Sequence, residues 1–319
     1  MAIHILRFAR DNQTFWGILE NNEVLKLELV HPCTTTKELV SLGIEKIKNA
    51  KRDSTRFKLT DIQLLSPITS DAKVVCQGAN YRQHMIDSGM NPNAKKFNMF
   101  FTKSSASIHD PVGIIQSPKH VQLLDYEIEL CLILKKEINQ TVQVTQHHLH
   151  EYVAGICIGN DISARDIQIP QTQFFKGKSY RTFCPLGPVL CLLEADEMHY
   201  LDELQLKLQV NHQIRQQDCT ANMVFKPTET ISELSEIINF NVGDIIMTGT
   251  PSGCALSLPS PLVVKMTSLL PEEQKWKLFI QSQKRNGRYL NHGDLLELTI
   301  QSLDQKIDLG RQIHHIEHL

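Results

Sequence analysis

The stretch DYEIELCLIL, residues 125–134, decides the fold, because it places two glutamates at the entrance of an apolar run. Side chains on a strand alternate between its two faces, so Glu127 and Glu129 point the same way with their carboxylates side by side. The next residues on the same face of the strand as the two glutamates, Cys131 and Ile133, are apolar, as are their neighbours. This pattern predicts a strand buried on both faces. Carboxylates entering such a strand are rarely buried without a partner, which favours a bound cation.

A third acidic residue, Asp161, follows a second apolar run at residues 152–158, where Gly159 and Asn160 indicate the end of a strand. Three carboxylates from two strands form a suitable site for one hard divalent cation. The alternative is a half-buried strand with a solvated face, which is the commonest reason for glutamates two positions apart. From spacing alone both interpretations stay open, because a motif of two carboxylates is short and recurs by accident.

The composition describes a large globular chain without a charge bias. The chain has 319 residues, 41% of them hydrophobic, with 33 lysines and arginines against 35 aspartates and glutamates and a net charge of -2. The length predicts one large domain and a smaller one, and the balanced charge indicates neither a nucleic-acid nor a membrane partner. Residues 1–10 lack the apolar centre of a signal peptide, and the eight cysteines contain no Cys-x-x-Cys pair. We therefore expect free thiols and a cytoplasmic protein.

Residue patterns predict two domains, a small N-terminal β-rich domain at residues 1–68 and a catalytic domain at residues 69–319. The first contains a hairpin turn at residues 20–23 and a helix at residues 36–51. Proline and small polar residues at 66–71 mark the boundary.

Strand patterns dominate the second domain and helix patterns are few, which predicts the α+β class. The predicted strands are residues 74–77, 99–102, 126–134, 153–158, 189–193, 204–210, 245–248 and 295–300. The predicted helices are residues 81–88 and 230–239, with a helical turn at 163–168.

Five motifs occur in the order of one known family: QGANYRQH at 77–84, DYEIEL at 125–130, GNDISARDIQ at 159–168, GKS at 177–179 and TGTPSG at 248–253. In these motifs the chain resembles the fumarylacetoacetate hydrolase family, from about residue 73 to residue 253 and again at 289–309. The resemblance implies the mixed β-sandwich or roll of that family's C-terminal domain. The first 65 residues resemble the small N-terminal domain of many bacterial members. The resemblance also implies a homodimer.

The resemblance implies a divalent-metal site and an acid–base pair. Glu127, Glu129 and Asp161 match the ligands of a cation that is usually Mg²⁺ and sometimes Mn²⁺ or Ca²⁺. His84, on a short lid helix, matches the general base. Asp87 occupies the position of the acidic partner of that base, which is a glutamate in the family, so its side chain here is one methylene shorter.

Three further residues match substrate-binding positions of the family. Lys178 matches the site lysine, Gln168 a side chain that positions substrate or water, and Thr250 a residue that binds the substrate carboxylate through its hydroxyl or backbone. Three carboxylates, a divalent cation and Lys178 carry no net charge together, so the site is compatible with burial.

These residues imply a divalent-metal-dependent hydrolase that cleaves a C–C bond in a small 2-oxo or 1,3-dicarbonyl acid, such as an acylpyruvate or a fumarylacetoacetate-like acid, through a metal-bound enolate. The substrate chelates the cation through its carboxylate and keto oxygens. His84, polarised by Asp87, takes a proton from water, and Lys178 stabilises the developing oxyanion. The alternatives are decarboxylation or isomerisation of oxaloacetate-like or 2-oxohept-3-enedioate-like acids, and a weakly active binder of metal and dicarboxylate.

Three other patterns predict no catalytic role. Residues 255–288 are an insertion relative to the family, and Trp276 and Phe279 in it predict either a lid or subunit contact, or a surface excursion with its own small apolar cluster. Arg165 is predicted to brace a helical turn capped by Ser163. The sequence HHIEH at 314–318 imitates a zinc-protease motif, but only one residue follows it, so we reject a zinc site.

Overall fold

The computed structural model describes residues 2–29, 32–95, 97–257 and 270–319. The strands of the described residues are, in chain order, β1 Ile3–Arg10, β2 Gln13–Glu20, β3 Glu23–Glu28, β4 Lys51–Lys58, β5 Gln63–Leu65, β6 Val74–Gln77, β7 Phe100–Lys103, β8 Ile108–His109, β9 Val112–Ser117, β10 Leu124–Asp125, β11 Ile128–Leu134, β12 Val153–Asn160, β13 Ser163–Ala164, β14 Cys184–Pro185, β15 Val189–Leu192, β16 Gln205–Val210, β17 Gln213–Cys219, β18 Ile245–Met247, β19 Leu295–Gln301 and β20 Asp308–His318. The α-helices are α1 Thr36–Leu42, α2 Ile44–Lys48, α3 Arg82–Asp87, α4 Arg165–Gln171, α5 Phe174–Lys178, α6 Pro227–Ser235 and α7 Glu272–Lys284.

Two large β-sheets organise the described chain. The larger sheet has 11 strands in the order β4-β3-β2-β1-β15-β12-β11-β18-β6-β7, with β5 paired to β1. The smaller sheet has five strands in the order β17-β16-β19-β20-β9. Leu130 and Leu132 of the larger sheet share one apolar cluster with Leu206 and Leu298 of the smaller sheet. Helices are short and lie between strands, so the α+β class with a β-sandwich core is confirmed.

β11 is buried on both faces, as its apolar run predicts. Leu130 and Leu132 face the smaller sheet, whereas Cys131 and Ile133 belong to a second apolar cluster on the opposite face. β11 pairs antiparallel with β12 and β18, so it lies in the middle of the larger sheet. Hydrophobic burial on both sides holds this strand and its carboxylates in place.

The N-terminal residues extend the larger sheet, because β1 pairs antiparallel with β15. The helix predicted at residues 36–51 is wrong as a single helix. It divides into α1 and α2 at Gly43, whose φ of 81° lies in the left-handed region, and residue 51 already begins β4. The division into domains at residue 68 stays a prediction.

β9, β17 and β20 are among the strands that the sequence patterns did not predict. The HHIEH sequence lies on β20, which pairs with β19 and β9, and not on a helix as the zinc-protease motif requires. Among the described residues, no helix combines the length and the apolar character of a membrane span.

Candidate active site

The three carboxylates predicted as metal ligands converge at the ends of the two central strands. Glu129 lies on β11 and Glu127 directly before it, while Asp161 directly follows β12. The register pairs Glu129 with Gly159, and the backbone N–H of Asp161 donates to the carbonyl oxygen of Glu127 at 2.8 Å. All three side chains are buried, and each offers an oxygen within 4.8 Å of the others. Strand pairing therefore assembles the cluster from two distant segments of the chain.

Three buried cationic side chains contact the three carboxylates. Of these, only Lys178 was predicted from the sequence to lie in the site. Lys178 Nζ, at the end of α5, donates to one carboxylate oxygen of Glu127 and one of Asp161. Lys103 Nζ, at the end of β7, donates to the other oxygen of Asp161. Arg165 Nη2, at the start of α4, donates to the other oxygen of Glu127. Every oxygen of these two carboxylates thus has a cationic donor.

Glu129 differs from the other two carboxylates, because none of these cations contacts it among the described residues. Its Oε2 accepts a hydrogen bond from the backbone N–H of Gly249 at 2.9 Å. Burial raises the pKa of Glu129 well above its usual value, and the charges of Asp161 and Glu127 raise it further. A cation bound beside Glu129 stabilises its ionised form. The side chain lines the cavity, where such a cation has access.

The buried ionic cluster contains four carboxylates and three cations, so one negative charge is left over when Glu129 is ionised. Its members are Asp125, Glu127, Glu129, Asp161, Lys103, Arg165 and Lys178. The sequence predicted a net charge of zero from three carboxylates, one metal ion and Lys178. That count was incomplete, because it omitted Asp125, Lys103 and Arg165. The excess negative charge and the all-oxygen donors fit a hard divalent cation of the Mg²⁺, Mn²⁺ and Ca²⁺ group.

Lys178 and Glu127 hold opposite charges at neutral pH. Burial alone lowers the pKa of Lys178, but the carboxylates of Asp161 and Glu127 outweigh burial and raise that pKa. Burial alone raises the pKa of Glu127, but Arg165 and Lys178 outweigh burial and lower it. An ammonium has three N–H donors, of which two are used here. The third N–H of Lys178 therefore remains for a bound molecule.

His84 and Asp87 lie on α3, at the edge of the same cavity. The described residues provide no hydrogen-bond partner for the His84 ring. Burial lowers the pKa of His84, although the Glu127 carboxylate opposes that effect. Asp87 accepts hydrogen bonds from Gln83 at 2.8 Å and from the hydroxyl of Ser252. The hydrogen-bonded pair of His84 and Asp87 expected from the sequence is therefore not formed in this structure.

Gln168 and Thr250 also line the cavity, but their polar groups are partly engaged. Gln168 Oε1 accepts from Arg165 Nη1 at 2.8 Å, which leaves its amide N–H₂ for a ligand. The Thr250 hydroxyl donates to the carbonyl oxygen of Ile128 and accepts from Gln216 Nε2, both at 2.8 Å. Contact between Thr250 and a substrate carboxylate is thereby restricted to the Thr250 backbone.

The predicted role of Arg165 as a brace of a capped turn was wrong. Ser163 donates to the carbonyl oxygen of Asp161, and Ala164 precedes α4 without a side-chain cap. Arg165 Nε also donates to Asp125 at 2.8 Å, so its guanidinium joins two buried carboxylates. The position of Arg165, four residues after Asp161, could have indicated that it lies near the carboxylates. Nothing in the sequence indicates the same for Lys103.

The cluster forms part of the wall of a cavity of about 620 Å³, a size suited to a small-molecule ligand. The predicted site residues that line it are His84, Asp87, Glu127, Glu129, Gln168, Lys178 and Thr250. Asp161 lies behind them and is fully buried. The structure thus brings all eight predicted site residues to one place.

Comparison with known proteins identifies the class to which this fold and site belong. Residues 73–316 match the family model described as fumarylacetoacetate (FAA) hydrolase C-terminal. The chain therefore belongs to the fumarylacetoacetate hydrolase C-terminal domain family, a family of enzymes, as the sequence motifs indicated. Members of this family commonly bind a divalent metal, in agreement with the acidic cluster.

Two relatives are oxaloacetate tautomerases. The chain is 35% identical to the oxaloacetate tautomerase YisK of Bacillus subtilis over 215 residues, which cover 67% of this chain and 70% of the relative. It is 32% identical to the mitochondrial oxaloacetate tautomerase fahd2 of Xenopus laevis over 240 residues, which cover 73% of each chain.

Two solved structures share the fold over almost the whole chain. A fumarylacetoacetate hydrolase from Exiguobacterium antarcticum is 27% identical with a TM-score of 0.71, and the match covers 99% of this chain and 100% of that one. A probable 2-hydroxyhepta-2,4-diene-1,7-dioate isomerase from Mycobacterium abscessus is 26% identical with a TM-score of 0.73, and the match covers 100% of this chain and 99% of that one.

Proposed function

We propose that this chain is a metal-dependent tautomerase that interconverts the keto and enol forms of a small 2-oxo dicarboxylic acid of the oxaloacetate type. The environment of His84 carries the proposal, because its ring has no hydrogen-bond partner among the described residues and faces a cavity whose wall includes Glu127 and Glu129. A tautomerisation moves one proton between carbon and oxygen and consumes no water. The oxaloacetate tautomerase activity of the relatives from Bacillus subtilis and Xenopus laevis supports the same class of reaction.

Glu127, Glu129 and Asp161 are the residues that would hold the cation. When bound, a hard divalent ion supplies Lewis-acid polarisation of the carboxylate and keto oxygens of a 2-oxo acid. The net negative charge that the cluster carries once Glu129 is ionised favours cation binding. The bound ion leaves the site with a positive charge that attracts an anionic substrate.

His84 is the group that would take the proton from the carbon beside the keto group. Its lowered pKa keeps the imidazole neutral at neutral pH, so a ring nitrogen is available as a base. The imidazolium formed in this step returns the proton to the keto oxygen, which completes the isomerisation without a net change in the protein.

Lys178 would stabilise the negative charge that develops on the keto oxygen. The ammonium form persists at neutral pH because of its raised pKa, and the third N–H is not used by Glu127 or Asp161. Such a preorganised donor in a site shielded from water is worth more than the same donor in solvent.

Hydrolysis of a C–C bond, the first expectation from the sequence, becomes the second candidate. The likeness to the hydrolase from Exiguobacterium antarcticum favours it. Hydrolysis requires an activated water, and the acidic residue expected to polarise His84 contacts Gln83 and Ser252 instead. The tautomerase proposal needs no such pair.

The test is turnover by the purified protein with Mg²⁺. We expect enol oxaloacetate to convert to the keto form faster than in buffer, as followed by the ultraviolet absorbance of the enol, and we expect the rate to fall with chelator or in His84→Gln. Release of pyruvate and acetate from acetylpyruvate would indicate the hydrolase instead. Pyruvate and CO₂ from oxaloacetate would indicate a decarboxylase, and metal-dependent binding of oxalate without turnover of any of these acids would indicate a binder.

A further inference from the structure

Arg288 is a cation in the cavity wall that has no carboxylate partner among the described residues. Arg165 and Lys178 line the same cavity, but both contact buried carboxylates. Arg288 Nη2 donates to the carbonyl oxygen of Gly253 at 2.7 Å, and its Nε is buried without a partner in the described chain. A guanidinium has five N–H donors. Among the described residues, most of the hydrogen-bonding capacity of Arg288 is therefore unused.

The segment that carries Arg288 is fixed to the cavity wall. The backbone N–H of Arg288 donates to Asn286 Oδ1 at 3.0 Å, and Asn286 Nδ2 donates to the carbonyl oxygen of Ala255 at 2.8 Å. The next residue, Tyr289, is buried, and its hydroxyl donates to Gln283 at 2.8 Å. Because these contacts fix the backbone, the guanidinium needs little ordering when a ligand binds.

Arg288 lies close in the structure to the carboxylate cluster. The Gly253 carbonyl that it contacts precedes Cys254, and Cys254 Sγ lies 3.7 Å from Glu127 Oε1. A small ligand held at Glu127 and Glu129 thus has the Arg288 guanidinium on an adjoining part of the wall. Arg165 is not equivalent, because its Nε and both terminal nitrogens already donate to Asp125, Glu127 and Gln168.

We propose that Arg288 binds the second carboxylate of the substrate and so selects dicarboxylic over monocarboxylic 2-oxo acids. This inference rests on the proposed function, in which one carboxylate and the keto oxygen face the cation. A second carboxylate entering the cavity requires a donor of positive charge, since an unpaired buried anion is costly. A guanidinium matches a carboxylate with two parallel hydrogen bonds, so Arg288 provides both charge and geometry.

The inference gives the insertion at residues 255–288 a function. The insertion returns to the catalytic domain through Arg288, and Ser257 at its other end also lines the cavity. Gln283 of α7 accepts from the backbone N–H of Ser257 and donates to its carbonyl oxygen. The two ends of the insertion are thereby joined beside the cavity, where they add a cation to its wall.

The test compares 2-oxoglutarate with 2-oxopentanoate, which lacks the second carboxylate, and uses oxalate as a ligand too short to extend beyond the metal site. The Mg²⁺-loaded full chain and its Arg288→Gln variant are titrated calorimetrically with oxalate, 2-oxopentanoate and 2-oxoglutarate. Glutamine retains a donor for the Gly253 carbonyl but removes the charge. We expect 2-oxoglutarate to bind the unmodified protein more tightly than 2-oxopentanoate, and Arg288→Gln to weaken 2-oxoglutarate by roughly 10- to 100-fold while oxalate changes less than about twofold.

Two further variants distinguish the effect of the Arg288 charge from a structural effect of the substitution. Arg285→Gln, the same change at an exposed arginine three residues earlier, is expected to leave all three affinities unchanged. Arg288→Lys is expected to retain part of the preference for 2-oxoglutarate. If Arg288→Gln weakens oxalate and 2-oxoglutarate equally, Arg288 only supports the Gly253 loop and the inference fails. The inference also fails if the unmodified protein does not distinguish 2-oxoglutarate from 2-oxopentanoate.

The outcomes distinguish this inference from the proposed function. A protein that prefers the dicarboxylate through Arg288 but does not tautomerise oxaloacetate refutes the proposed function alone. A protein that tautomerises oxaloacetate with the same dicarboxylate affinity in Arg288→Gln refutes only the role of Arg288.

Discussion

His84 and Asp87 lie one turn apart on α3 without a hydrogen bond between their side chains, because the Asp87 carboxylate accepts from Gln83 and Ser252. Ser252 belongs to the loop that follows β18 and includes Thr250, so Asp87 connects α3 to a loop that lines the cavity. The shorter aspartate side chain thus has a partner across the cavity edge. This arrangement supports a positioning role for Asp87 on α3, with His84 as the base of the proposed reaction.

Substitutions of these two residues should therefore have unequal effects. We predict that His84→Gln lowers kcat/KM for the tautomerisation by about 10²- to 10⁴-fold, the range for loss of a general base. Asp87→Asn keeps an acceptor for Ser252 and should lower kcat/KM by less than about tenfold. Steady-state kinetics of the two variants, with Ser252→Ala as the control for the connection to the loop, measures the difference. Equal losses in His84→Gln and Asp87→Asn would mean that the pair forms in the working enzyme.

The pH dependence of activity should reflect the lowered pKa of His84. Burial disfavours the imidazolium, so the ring is neutral at neutral pH and becomes protonated only below its usual titration range. We expect kcat/KM at saturating Mg²⁺ to be constant around neutral pH and to fall as the pH decreases through the lowered pKa of His84. A profile that already falls above the usual histidine range would show that another group is the base.

Glu129 should couple metal binding to proton release. Its pKa is raised by burial and by two neighbouring carboxylates, so a proton occupies it at pH values where an exposed glutamate is ionised. Metal must displace that proton, and Mg²⁺ affinity should therefore decrease as the pH is lowered. Calorimetry in two buffers of different ionisation enthalpy measures the released proton.

The Glu129→Gln variant isolates this ligand, because glutamine resembles the protonated glutamate in shape. We expect the metal-free variant to be as stable as the metal-free parent, since no ionised carboxylate is lost. Its Mg²⁺ affinity should fall by at least about 100-fold, and saturating Mg²⁺ should no longer raise its Tm. An unchanged Mg²⁺ affinity would exclude Glu129 as a ligand.

The sequence predicted the centre of the fold better than its edges. β11 and β12 are buried on both faces and are apolar apart from Glu129 and Asn160, so a nearly continuous apolar run was sufficient to identify them. β17 and β20 mix polar and apolar residues, including QIRQQDC at 213–219, because they are partly exposed. Cross-strand pairing, which has no local signature, makes such segments strands.

The site residues that belong to short sequence motifs were predictable, whereas those that only the tertiary structure brings to the site were not. Glu127, Glu129 and Asp161 belong to short motifs, and the register of β11 with β12 brings them together. Lys103 and Arg288 are single cations in segments without a pattern, and each reaches the site only through the fold. A lone lysine or arginine carries no sequence signal of its burial, so only the coordinates reveal these two.

Lys103 should contribute strongly to stability, although it does not line the cavity. Its side chain is fully buried and donates to Asp161 and to the carbonyl oxygen of Ile162, the latter at 3.2 Å. Removing one partner of a buried pair leaves an uncompensated charge, so we predict that Lys103→Met lowers the free energy of unfolding by about 3 kcal/mol, as measured by urea denaturation without metal.

Lys136→Met is the matched control for Lys103→Met, because Lys136 pairs with Glu151 where both side chains are more than 40% exposed. That pair should contribute less than about 1 kcal/mol, since water screens it. Mg²⁺ should restore part of the stability lost in Lys103→Met, because a cation bound at Asp161 replaces some of the missing positive charge. Equal losses in the two variants would show that Asp161 is compensated by Lys178 alone, and Lys103 would then be dispensable to the cluster.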